Sequence, residues 1–66
     1  MDERNLLSHL VKEIDKLRVD QITALASGRL SDHAEYRHVC GVIRGLSLAE
    51  SLVTDLVQRM ERLEDE

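Results

Sequence analysis

Residues 32–63 read DHAEYRHVCGVIRGLSLAESLVTDLVQRMERL, and this stretch decides the fold. Apolar or small residues recur at Val39, Val42, Leu46, Ala49, Val53, Leu56, Met60 and Leu63. The steps alternate three and four, which on an α-helix draws one continuous seam with a seven-residue repeat. Ile43, Leu52 and Val57 flank it and widen the apolar face. No proline interrupts the run. The spacing predicts a long helix over about 32–64.

Working outward toward the N-terminus, Ser31 and Asp32 are the candidate caps of that helix. Asp32 has Glu35 three residues later, the spacing of a capping box, although the box prefers Ser or Thr at the cap. Gly28 is the strongest stop signal in the chain, because glycine readily takes the left-handed conformation that closes a helix. Before it, Leu7, Leu10, Ile14, Leu17, Gln21 and Ala24 repeat the three–four spacing, and Leu6, Val11, Ile22 and Leu25 broaden that face. Lys12, Glu13, Asp15, Lys16 and Asp20 supply a solvated opposite side. A first helix over about 3–27 follows, with Asp2 and Glu3 at the end where the helix dipole favours anions. Gln21 reads either as a polar residue at the edge of the seam or as a buried one that fixes register.

A short turn at 28–31 makes the two helices antiparallel neighbours. The fold class is therefore all-α: one antiparallel helical hairpin spanning residues 1–66. Pairing outward from a turn near Arg29 sets Leu7 level with Leu52 and Glu3 level with Leu56. The second helix then overhangs the first by roughly eight to ten residues, ~12–15 Å at 1.5 Å per residue. That overhang would leave Val57, Met60 and Leu63 uncovered within the chain. Gly41 and Gly45 sit four apart in the same helix, where small residues let another helix approach closely. Val53, Leu56, Val57, Met60 and Leu63, with Gly41 and Gly45, are the expected interaction surface. The terminal Glu61-Arg-Leu-Glu-Asp-Glu66 opposes the helix dipole and is expected to fray unless a basic group meets it.

Composition bounds the function. The chain has 66 residues, a net charge of −4, one tyrosine, and neither Phe nor Trp. A core built from aliphatic side chains in so short a chain sits near break-even, since ordering costs roughly 1.5 kcal/mol per residue. Cys40 stands alone, so no disulfide can close within the chain. Completion by self-association or by a larger partner is the expected route to stability. The acidic balance argues against general nucleic-acid binding, which wants a basic face. Arg29, Arg37 and Arg44 leave room only for local contacts. No window approaches the ~18 apolar residues that span a bilayer. The N-terminus lacks the charge order of a signal peptide, so a soluble chain of intracellular type is expected.

Chemistry is poorly served. His33 and His38 lie five residues apart, and His38 and Cys40 two, so their side chains diverge on a helix rather than converge on a metal. Cys40 and the serines have no positioned base or oxyanion-hole loop nearby in sequence. Glu13 to Arg18 resembles the first helix of chorismate-mutase-type helical enzymes. The basic residues needed to grip two carboxylates do not follow on the other arm. No enzyme activity, cofactor, metal or small-molecule substrate is expected.

Ala34-Glu-Tyr36, the Gly41-Val-Ile-Arg-Gly45-Leu turn and the Ala49-Glu-Ser-Leu52-Val-Thr-Asp55-Leu run carry a more specific likeness. Preceded by Leu25-Ala-Ser-Gly28, they resemble small acidic helical proteins of tailed bacteriophages, often encoded among head and portal genes. The resemblance covers about residues 24–57. It implies a structural or assembly role, with the chain packed on itself as a homo-oligomer or on a larger phage head or connector protein. The implied location is the virion or the host cytoplasm. The alternative is a small phage regulatory protein that binds and modulates a host protein.

Overall fold

The computed structural model describes residues 2–65. Two helices, α1 (Glu3–Ala26) and α2 (His33–Asp65), pack against each other as an antiparallel hairpin. Both fall within one residue of the spans expected from sequence. Met1 and Glu66 lie outside the described residues, as do the surroundings of the Asp65 side chain, so the expected fraying of the terminal acidic run is addressed only through Glu64.

Each helix end is held by local chemistry. Asp2 caps α1: the Asn5 backbone N–H donates to Asp2 Oδ1 at 2.9 Å. At the far end, Ser27 ends α1 with its N–H bonded to the Thr23 carbonyl at 3.0 Å, and Gly28 follows at φ +73°. Gly28 is the residue that turns the chain off the helix axis, in a region that other residues enter at a cost of roughly 1–2 kcal/mol. Asp32 caps α2, accepting from the Glu35 N–H at 2.8 Å. Glu35 reaches back one residue beyond the cap, where its Oε2 accepts from the Ser31 N–H at 3.0 Å and the Ser31 hydroxyl at 2.6 Å. The reciprocal capping spacing is thus used, with aspartate at the cap and serine just before it.

The pairing of the arms differs from the expected one. Arg4 Nη1 lies 3.0 Å from Glu64 Oε2, and Arg18 Nη1 lies 3.5 Å from Glu50 Oε2. Arg4 to Arg18 is fourteen residues, and so is Glu64 back to Glu50, which makes the register regular. It sets Leu7 near Glu61 instead of Leu52, about two and a half helical turns further along α2. The overhang at the C-terminal end therefore does not exist, and the last turn of α2 is met by the basic Arg4. The reason lies in the linker. Six residues, Ser27–Asp32, separate the helices, and the chain travels beyond the end of α1 before α2 begins. The extra length of α2 is spent beside this linker. Val39, 7% exposed, is buried there, and Leu30 on the linker is half-buried.

The inward seams also differ from the expected ones. On α1 the half-buried residues Arg4, Leu7, Val11, Ile14, Arg18, Gln21 and Leu25 alternate three and four without a break. On α2 Val39, Ile43, Leu46, Glu50, Val53, Val57 and Met60 do the same. Leu10 and Leu17, expected in the first seam, are 44% and 54% exposed. Leu56 and Leu63, expected in the second, are 46% and 70% exposed. Arg18 and Glu50 explain the shift. A search for apolar residues passes over both, yet their long aliphatic stems fill inward positions while the charged ends pair.

The hairpin is one layer thick. Its extents are 52 × 18 × 12 Å, and 12 Å is the diameter of a single helix with its side chains. The radius of gyration is 15.4 Å, against about 11 Å for a compact chain of this length. Among the described residues Val39 is the only buried one, and none is fully enclosed.

Candidate functional site

The outward faces of the hairpin differ sharply. In an antiparallel pair, residues one place before the first seam position of each heptad fall on the same side of both helices. On α1 these are Leu10, Leu17 and Ala24, preceding Val11, Arg18 and Leu25. On α2 they are Val42, Ala49, Leu56 and Leu63, preceding Ile43, Glu50, Val57 and Glu64. Leu6 and Leu52 extend the same side outward, at 59% and 71% exposure. Glu3, preceding Arg4, stands at one end of the same side, and from Leu10 to Ala24 on α1 and Val42 to Leu63 on α2 this broad face of the hairpin is apolar.

The other face carries the residues one place after the second seam position: Ser8, Asp15 and Ile22 on α1, and Cys40, Ser47, Thr54 and Glu61 on α2. Ser8, Val11, Lys12, Thr54 and Val57 together line one shallow groove, which confirms that Ser8 and Thr54 share a side. Apart from Ile22, with Val19 at its edge, these residues are polar or small, and the groove between Ser8 and Thr54 opens onto apolar surface of Val11 and Val57. The hairpin as a whole is amphipathic, in the way a single surface helix is, with the apolar side left open.

Of the residues expected to form an interaction surface, the structure divides the set. Leu56 and Leu63 stand on the open apolar face. Val53, Val57 and Met60 are half-buried against α1, so of the three side chains expected to be bare α1 covers Val57 and Met60, and Leu63 alone stays bare. Gly45 sits at the rim of the apolar face and Gly41 on the back of α2. A Cβ built on either would meet nothing within 4 Å, so the hairpin itself does not use their small size. Leu10, Leu17 and Leu52 belong to the face and were not expected in it. The signal for them was present in the spacing, but assigning them outward requires Arg18 and Glu50 to be read as inward.

Charge is sparse on the open face and concentrated at its rims. Glu13 and Asp20 border it on α1 and Arg59 borders it on α2, all exposed. Glu13 has Lys16 at 3.5 Å and His9 at 3.8 Å along its own helix. His33 stacks on Tyr36 at the start of α2, with ring centroids 6.1 Å apart. Cys40 is half-buried on the polar face. Among the described residues no group of three or more His, Cys, Asp or Glu side chains is placed to hold a metal ion. No helix among them is long and apolar enough to cross a membrane.

The hollows on the surface are shallow and open. The one at the chain ends is lined by Asp2, Glu3, Arg4, Met60 and Glu64, around the Arg4–Glu64 pair. No protein-family model matches the chain, and neither a curated protein nor a solved structure does.

Proposed function

We propose that this chain is a non-enzymatic assembly protein, working by packing the open apolar face of the hairpin against another helical surface. The observation that carries the reading is the unbroken apolar side formed by Leu10, Leu17, Leu56 and Leu63, bounded by Leu6 and Leu52. Domains are built from two packed layers around one core, and this chain supplies a single layer. A large apolar face on so small a chain marks a site of association.

The likeness of residues 24–57 to small acidic helical phage proteins supports a place in or around a phage particle, with the chain packed on itself or on a head or connector protein. Recovery of the chain with purified virions tests that assignment, and its absence from them counts against it.

The surface is tested by light scattering on the size-separated protein over a dilution series, comparing the native chain with Leu52→Glu/Leu56→Glu and with Ser8→Glu/Ser51→Glu. Loss of assembly in the first variant alone supports the reading. Equal assembly in all three chains overturns it.

A further inference from the structure

We infer that the open apolar face is covered by a second copy of this chain, turned about an axis parallel to the helices, so that α1 of one hairpin lies over α2 of the other. This rests on the packing role proposed above and states its occupant and geometry. The accessible surface is 5262 Å², whereas a compact protein of 7.5 kDa exposes about 4,250 Å². The excess of about 1,000 Å² is close to the ~800 Å² that each partner buries in a stable interface of standard size. One further layer of equal size is thus what the hairpin lacks, and a second copy supplies it.

Two symmetric ways exist to close two such faces. In one, α1 lies on α1 of its partner and runs antiparallel to it. That sets the acidic rim of Glu13 and Asp20 against the same rim, and like charges in register are unfavourable. In the other, α1 lies on the partner's α2 at unchanged height. The register of the hairpin sets Glu13 level with position 55, so in that arrangement Arg59 of the other copy lies four residues, ~6 Å, further along the rim than Glu13, within the span of its long side chain. The same heights set Ala24 beside Gly45 of the second copy, small against small, where the open space at Gly45 admits close approach. They also set Leu17 near Leu52 and Leu10 near Leu56. Matched size and height along the face select the second arrangement, which also keeps the acidic rim of α1 away from its own copy. The product is an antiparallel four-helix bundle.

The experiment uses the full chain with Cys40→Ser. Two variants, Leu17→Cys and Leu52→Cys, which the register sets one residue apart in height, are distinguished by isotope mass, mixed, oxidised gently and weighed by intact mass spectrometry, with light scattering alongside. The expected result is a dimer in which the mixed 17–52 disulfide exceeds either homodisulfide at least tenfold. A dimer linked mainly through position 17 to itself overturns this arrangement but leaves packing through the apolar face standing. A chain that stays monomeric up to high concentration overturns the second copy as occupant. A dimer that survives Leu52→Glu/Leu56→Glu overturns the face itself, and with it the packing role.

Discussion

Arg18 and Glu50 meet across the middle of the hairpin, guanidinium to carboxylate at 3.5 Å, with the side chains 31% and 25% exposed. Arg18 also pairs with Asp15 on its own helix. At 3.5 Å the interhelical contact is an ion pair rather than a good hydrogen bond, and Arg18 Nε and Glu50 Oε2 have no hydrogen-bond partner. Such a pair specifies register more than it stabilises, because a one-heptad slip would leave Glu50 at an inward position without Arg18 opposite it.

Removing Glu50 leaves the half-buried Arg18 with Asp15 as its partner but nothing across the hairpin. Glu50→Ala should cost about 1–2 kcal/mol, between the ~0.5 of a surface pair and the ~3–5 of a fully buried one. Arg18→Leu/Glu50→Leu should be at least as stable as the native chain. Urea unfolding of the three proteins, read by helicity, checks the order; a double variant weaker than Glu50→Ala contradicts it.

The glycines should answer in opposite directions. Gly28 sits at φ +73°, so Gly28→Ala strains the turn and should lower stability by about 1–2 kcal/mol. Gly41→Ala lies inside α2 with open space around the new methyl and should raise it by up to about 1 kcal/mol. Thermal unfolding separates the two. Gly45→Leu should keep helicity and weaken assembly, because the bulk enters the rim of the open face.

Glu35 ties the start of α2 to Ser31, and these hydrogen bonds hold its carboxyl below its ordinary value of 4.5. A depressed folded value means that the contribution is fully present above the ordinary value and is lost as pH falls through the folded one. Helicity should therefore drop on acidification below about pH 4.5 more in the native chain than in Glu35→Gln, followed by circular dichroism. Identical acid profiles would remove the cap from the account.

Val57→Glu/Met60→Glu should unfold the hairpin in addition to any effect on assembly, since both side chains face α1. Leu52→Glu/Leu63→Glu, at 71% and 70% exposure, should leave monomer helicity intact and abolish assembly. Circular dichroism beside light scattering distinguishes the two pairs.

The Arg4–Glu64 pair is exposed on both sides and should contribute at most about 0.5 kcal/mol, fading with salt. Glu64→Gln should show faster amide exchange in the first turn of α1 and the last turns of α2, with little change in global stability.

Two helices, their ends and the antiparallel turn were determined by the sequence alone, since period, caps and a stop at Gly28 are local properties of consecutive residues. Which side of each helix faces inward was not. The seam passes through Arg18 and Glu50, and a charged side chain is inward only if its partner on the other arm is at the right height. That height was set by the linker: Ser27–Asp32 advances past the end of α1 instead of reversing at Arg29, moving the pairing along α2 and bringing Arg4 to Glu64. Only the tertiary structure decided it, because a local pattern carries no information about how far one helix slides along another. The same shift covered Val57 and Met60 and turned Leu10, Leu17, Leu56 and Leu63 outward together, which is how one amphipathic hairpin arises from two amphipathic helices.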